Sequence, residues 1–202
     1  MFFPLFVDLR KRRCLVVGAG AIAARKIAGL LQYGAQVTVV SPRAVSVIRK
    51  LAQDGKIGWL PRKFAAADVD HAFLAVAATA TPSVNAAVYR ACTQSGILCN
   101  SVDDPEHCDF IYPAVMRRGL LQIAVSTGGS SPGLAARLRR ELEARYSAEW
   151  SLWLEQVAAQ RHALLSRKMP ARRRAKLLAD ISSEAAFRAF VAHRSGAVVD
   201  HR

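Results

Sequence analysis

The chain is poor in acidic residues: 15 aspartates and glutamates stand against 29 lysines and arginines, leaving a net charge of +14. That balance disfavours a cationic partner and favours an anionic one. Nucleic acid is the usual anion for a basic protein. Yet zinc-finger spacing, an aromatic RNA-binding signature and a helix-turn-helix pattern are all missing, and a polycarboxylate small molecule satisfies the same field. Cysteine is also scarce. The four (Cys14, Cys92, Cys99, Cys108) form no C-x-x-C pair and read as reduced thiols, as expected in a cytoplasm. No apolar run is long enough to span a bilayer. The opening MFFPLFV is short and its basic cluster, Arg10 to Arg13, follows it instead of preceding it, so it is expected to be neither signal peptide nor anchor but to lie against the first strand. A chain of 202 residues has length for one large domain or for one domain with a smaller appendage, and the second is expected.

What is present begins at Cys14. The stretch CLVVGAGAIA is an apolar run that turns at glycine and continues into small residues. Cys14 to Val17 carry no polar residue, as suits a central parallel strand covered on both faces. Gly18 permits a tight turn, Gly20 leaves no Cβ in the path of a pyrophosphate, and Ala23 lets the next helix pack close to the strand. The helix starting near Gly20 would aim its unpaired N–H groups and positive dipole end at the phosphates. A glycine-rich strand-to-helix turn also serves structure alone, so the pattern needs support. Support follows: a helix over 24–33, a C-cap at Gly34 and a second apolar strand, Gln36 to Val40, complete a β-α-β unit. The acidic residue that often ends the second strand and holds the ribose 2′-OH is absent. In its place stand Ser41, Pro42 and Arg43, and this spacing does not separate NAD from NADP.

Further on, the pattern predicts an exposed helix over 44–54, a short strand over 57–60, a buried strand over 72–77 and a helix over 83–95 behind Ala78-Thr79-Ala80-Thr81-Pro82. The loops at Gly18, Ser41 and Thr79 should converge on one dinucleotide at the carboxyl edge of the sheet. A strand over 97–102 exits at Asp103-Asp104-Pro105, which brings carboxylates to the same crevice. Leu120 to Val125 reads as a strand of a second module, followed by Ser126-Thr127-Gly128-Gly129-Ser130-Ser131-Pro132. There Ser131 caps a helix and Pro132 occupies its first turn, either as a plain capped turn or facing an anion. Residues 147 to about 191 are helical by pattern. Trp150, Trp153, Leu154 and Val157 lie at core spacing. Arg161 to Lys176 carries seven basic residues and no acid, broken at Met169-Pro170, and reads most simply as a solvated face. Residues 195–202 are expected to fray.

The ordered set Gly18-x-Gly20-x-x-Ala23-x-Arg25-Lys26, Ala78-Thr79, Cys99-Asn100-x-x-Asp103-x-Pro105 and Ser126-x-Gly128-Gly129-x-Ser131-Pro132 resembles the siroheme-synthase dehydrogenase family, from Phe3 to about Tyr146. The resemblance implies an α/β protein with a Rossmann-type parallel sheet over 1–113, a dimerisation segment over 114–146 and a helical tail over 147–202. It implies oxidation of precorrin-2 to sirohydrochlorin with NAD in preference to NADP. In some members of the family ferrous iron is then inserted, so ferrochelatase activity is a further expectation. No methyltransferase domain is expected to follow, so the expectation is a free-standing dehydrogenase. The cofactor contacts carried over are Gly18, Gly20, Ala21 and Ile22, then Ser41, Pro42, Arg43, Ala78 and Thr79. Those for substrate are Asn100, Thr127, Gly128, Ser130 and Ser131. No resident metal is expected, because the contiguous His107, Cys108 and Asp109 cannot readily converge on one ion. Asp103 matches the family's catalytic aspartate and stands at a strand exit, where a carboxylate could act as general base. Asp104 is its rival, and a turn or cap role is the alternative for Asp103. The partners implied are precorrin-2 and sirohydrochlorin, both polycarboxylate tetrapyrroles, and a second copy of the chain; neither nucleic acid nor membrane is expected. Two other classes stand beside this reading: a dinucleotide-sensing domain without turnover, and a basic nucleic-acid binder.

Overall fold

The computed structural model describes residues 2–197. The chain divides between Tyr112 and Pro113 into two compact units.

The first unit is built on β1 (Arg13–Val17), α1 (Ala21–Gln32), β2 (Gln36–Val40), α2 (Ser46–Gln53), β3 (Gly58–Leu60), β4 (Leu74–Ala77), α3 (Pro82–Gln94) and β5 (Leu98–Ser101). All five strands are parallel, in the order β3-β2-β1-β4-β5. Alternate residues of β1 feed two separate cores, as a period of two demands. Cys14 and Val16 pack with Ala23, Ile27 and Leu30 of α1 and Ile48 of α2. Leu15 and Val17 pack with Val88, Ala91 and Cys92 of α3. The sheet is therefore covered on both faces, which explains why β1, β2 and β4 read as unbroken apolar runs. Enclosing one side chain such as Ile27, which is fully buried, contributes about 1.5–3 kcal/mol. The same burial pushes the Cys14 thiol up to about 11, so it stays protonated, and all four cysteines are free.

The chain winds from β1 through β2 to β3 on one side, then crosses back to β4 and β5 on the other. The reversal lies between β1 and β4, and in open parallel sheets that is where a crevice opens at the carboxyl edge. The opening segment departs from expectation. Phe3, Leu5 and Phe6 are 82%, 61% and 72% exposed, and no strand forms there. The reason is topological: β1 is paired on both sides, by β2 and β4, so it has no edge to offer, and Pro4 lacks the N–H a ladder needs.

The second unit opens with a hairpin, β6 (Ala114–Arg118) and β7 (Leu121–Val125), paired antiparallel. The hydrophobic pattern identifies β7 but not β6. Gly119, at φ +56, supplies the left-handed first residue of the two-residue turn. α4 (Pro132–Arg145) packs on both strands. Arg118 ties hairpin to helix by donating to the carbonyls of Tyr146 and Glu143, both at 2.9 Å. α5 (Glu149–Ser166), α6 (Ala171–Asp180) and α7 (Glu184–Ala197) follow, with the α5–α6 break at Met169-Pro170 as expected. Trp150 and Trp153 pack on Phe187, with centroids 4.3 and 5.1 Å away, so the tryptophans are core. α7 continues to Ala197, so the fraying expected from residue 195 is not found at 195–197, and residues 198–202 lie outside the described residues. Among the described residues no helix is long and apolar enough to cross a membrane.

Candidate dinucleotide cleft and its surroundings

Three loops meet at the carboxyl edge, those after β1, β2 and β4, and enclose a cleft of about 830 Å³. Gly18, Gly20, Ser41, Pro42, Arg43, Ala78 and Thr79 all line it. The two glycines do different work. Gly18 has φ +106, and a Cβ there would lie 2.3 Å from the Ala78 carbonyl oxygen, so it lets the β1 and β4 loops touch. Gly20 is the N-cap of α1 at φ −87, and a Cβ there would meet nothing within 4 Å. The space above it is open, at the end of a helix whose first N–H groups lack intrahelical partners. That is the geometry a pyrophosphate needs. Ala21 and Ile22 form the first turn of α1 behind this space and do not line the cleft, with Ile22 exposed.

The β4 loop is held by a residue the motif search missed. Asn85, buried on the first turns of α3, accepts from the Thr79 N–H (3.2 Å) and hydroxyl (2.7 Å) and donates to the Thr79 carbonyl (3.1 Å). An amide on a helix face otherwise made of Val88, Ala91 and Cys92 is the one signal that could have pointed to it. On the β2 loop, the Ser41 hydroxyl donates to the Arg43 carbonyl at 2.8 Å, and the Trp59 indole donates to the Ser41 carbonyl at 3.0 Å. Lys63 also lines the cleft and carried no sequence signal.

Asp103 stands one strand further along the same edge. It follows β5, is exposed, adopts φ +61, and does not line the cleft. The loop after it is clamped back onto β5. The Asn100 amide donates to the Phe110 carbonyl at 2.9 Å and to Cys108 Sγ at 3.3 Å. Asp109 accepts from the Cys99 N–H at 2.8 Å. Asn100 is thus buried and holds the loop that presents Asp103. Asp104 is engaged by His107 at 2.6 Å, and that imidazole sits edge-on to Tyr89 at 4.7 Å. Lys26 lies 3.6 Å over the Tyr112 ring. Its ammonium pKa is lowered by burial, an effect opposed by the nearby Cys108 and Asp103. Among the described residues no cluster of three or more His, Cys, Asp or Glu could hold a metal.

In the second unit, Thr127, Gly128, Ser130 and Ser131 shape the turn into α4. Thr127 Oγ1 accepts from the Ser131 N–H at 3.0 Å, and Ser131 Oγ accepts from the Leu134 N–H at 3.3 Å, capping the helix as expected. Gly128 and Gly129 take φ of +63 and +89. Because both hydroxyl oxygens act as acceptors, their own protons remain to be donated.

The comparisons with known proteins agree with this geometry. A family model described as putative NAD(P)-binding matches residues 5–114, and one described as the sirohaem biosynthesis protein central region matches 118–145. The chain belongs to the siroheme-synthase dehydrogenase family. Siroheme synthase 1 of Yersinia enterocolitica is 46% identical over 143 residues, which is 71% of this chain and 30% of that protein. Siroheme synthase 1 of Pectobacterium atrosepticum is 39% identical over 175 residues, 86% of this chain and 36% of that one. The chain thus spans about a third of the length of these curated relatives. Among solved structures, SirC, a precorrin-2 dehydrogenase, superposes with a TM-score of 0.75 at 28% identity, covering 95% of this chain and 98% of that one.

Proposed function

We propose that this member of the family oxidises precorrin-2 to sirohydrochlorin in the cytoplasm, passing hydride to a nicotinamide dinucleotide, NAD by the family resemblance. The observation that carries the proposal is the cleft at the β1/β4 reversal, with Gly20 open beneath it and the Thr79 loop fixed at its far side. The residues present fit a dinucleotide: the N-terminus of α1 can take the phosphates and the absence of a Cβ on Gly20 leaves them room. When bound, the nicotinamide ring supplies the hydride acceptor. Asp103 is proposed to take the proton released as the macrocycle is oxidised. It is preferred over Asp104, whose carboxylate is already held by His107. The hydroxyls of Thr127 and Ser131, with Ser130 beside them, are proposed as donors to substrate carboxylates. Mixing the protein, NAD and precorrin-2 should produce NADH at a rate proportional to protein, and no NADH over the uncatalysed background would overturn the proposal.

Two further results are expected from this reading. The β6–β7 hairpin has two strands and therefore two open edges, and Leu120 in its turn is 72% exposed. Open edges and an uncovered apolar residue favour pairing with a second copy, so a symmetric homodimer is expected by sedimentation at micromolar concentration. A monomer there rejects it. Substrate binding should weaken with salt, because cations facing several carboxylates are screened within about 10 Å at 0.1 M. Replacing Arg172, Arg173 and Arg174 with glutamine should lower precorrin-2 affinity and flatten its salt dependence. Unchanged affinity and slope assign that run to solvent alone.

A further inference from the structure

α1 carries one cation that the dinucleotide cleft does not use. Lys26 lies more than a turn beyond Gly20 and outside the lining of the cleft. Its side chain reaches instead to the loop after β5, where Nζ sits 3.6 Å from the centroid of the Tyr112 ring. The ring attracts the charge but offers no lone pair, and an ammonium has three N–H groups to donate. Among the described residues Lys26 forms no ion pair. Asp103 is near enough to act on its charge and yet is not paired with it. A partly buried ammonium without an oxygen acceptor is unfavourable, so the arrangement favours an anion brought from outside. The place of that ammonium is fixed by the loop itself. Asn100 donates to the Phe110 carbonyl at 2.9 Å, Phe110 packs against the core on the α1 side of the sheet, and its ring lies 5.6 Å from that of Tyr112. The clamp that presents Asp103 therefore also sets the ring under Lys26. Tyr112 is 40% exposed, which leaves the pair open to a ligand.

We infer that Lys26, held on the Tyr112 ring beside Asp103, is a subsite for one carboxylate of the tetrapyrrole. The inference rests on the precorrin-2 reading and adds a contact to it. The carboxylates of such a macrocycle hang from its rim, so one held at Lys26 brings the adjoining edge of the ring to Asp103, where the proton is to be taken. Asp103 alone would repel a polyanionic substrate, and the ammonium beside it offsets that repulsion. The partial burial that lowers the ammonium pKa also strengthens a charge-assisted hydrogen bond made there.

The test is an equilibrium titration of the full chain with sirohydrochlorin, followed by absorbance, which needs no turnover. Lys26→Met keeps an unbranched stem on the Tyr112 ring and removes the charge. Its dissociation constant should rise at least about tenfold, as expected for one charge-assisted hydrogen bond lost. Lys26→Arg keeps both charge and stacking and should stay within about threefold of the unaltered protein. ADP-ribose, whose cleft Lys26 does not line, should bind the variants and the unaltered protein alike, which shows that the variants are folded. Unchanged sirohydrochlorin affinity in Lys26→Met overturns the subsite, as does the absence of binding to the unaltered protein. An equal loss in Lys26→Arg overturns it too, because the effect then belongs to packing on Tyr112. The dehydrogenase reading fails separately. If the unaltered protein binds sirohydrochlorin through Lys26 but makes no NADH from precorrin-2, the subsite stands and the oxidation falls; if it makes NADH and Lys26→Met binds normally, the reverse holds.

Discussion

Gly20→Val should leave the protein folded and remove its dinucleotide affinity. The two halves of that expectation have separate grounds. Gly20 sits at φ −87, a backbone region open to any residue, and the space its side chain would enter holds no protein atom within 4 Å. The cost to the fold is therefore confined to a poorer N-cap, about 1 kcal/mol. That same space is where a pyrophosphate would approach the end of α1, and a branched side chain fills it. Each charge-assisted hydrogen bond lost from phosphate costs about 1.5–3 kcal/mol, so losing two raises the dissociation constant at least about 10²-fold. Gly18→Ala is the matched contrast. There the backbone is at φ +106 and the new methyl would press on the Ala78 carbonyl, so the melting temperature should fall before binding is even considered. Fluorescence titration with cofactor and thermal melts on both variants read the two effects apart. Wild-type affinity in Gly20→Val would mean that the glycine only shapes a turn.

The sequence pattern assigned the two glycines different tasks, a tight turn at Gly18 and an unobstructed phosphate approach at Gly20, but not what each one faces. G-x-G-x-x-A gives a turn and a helix; only the fold shows that the first glycine faces the β4 loop and the second faces open space. The parallel sheet itself was readable, because strands buried on both faces must be apolar throughout. Cys14 to Val17 and Leu74 to Ala77 have no polar residue to obscure them. Strand β6 was not readable. Its sequence, AVMRR, ends in two arginines, and one of them, Arg118, earns its place by reaching carbonyls of α4 far along the chain. The clamp on the Asp103 loop escaped for the same reason. Asn100 and Asp109 each reach backbone ten residues away through a side chain, and such contacts leave no periodic trace. The opening segment misled in the other direction, since an apolar run says that something should cover it and not what. Arg43 was legible from its place after the second strand, whereas Lys63 joins the lining of the cleft only because β3 pairs with β2.

Asp103→Asn should abolish most dehydrogenation while leaving dinucleotide affinity nearly intact. Asparagine keeps the size of the side chain and cannot take a proton at neutral pH. It also suits the backbone: Asp103 is at φ +61, where asparagine and aspartate are among the few side chains tolerated without large strain. Alanine would mix loss of the carboxylate with strain in the loop, and so tests the chemistry less cleanly. Removing a general base lowers the rate by about 10²–10⁴-fold, which corresponds to about 3–5 kcal/mol of transition-state stabilisation. The effect should fall on kcat, since the residue lies outside the lining of the cleft and binding there does not depend on its charge. Asp104→Asn supplies the comparison. It breaks the contact with His107 and should alter the loop while sparing most of the rate. NADH production and iron-dependent absorbance are to be followed separately on each variant. If iron insertion occurs and uses the same carboxylate to remove pyrrole protons, both activities should fall together in Asp103→Asn; retained insertion beside lost oxidation would assign the two steps to different groups. Near-normal NADH production by Asp103→Asn, with loss in Asp104→Asn, would transfer the role of base to Asp104 and make His107 its partner in holding the proton.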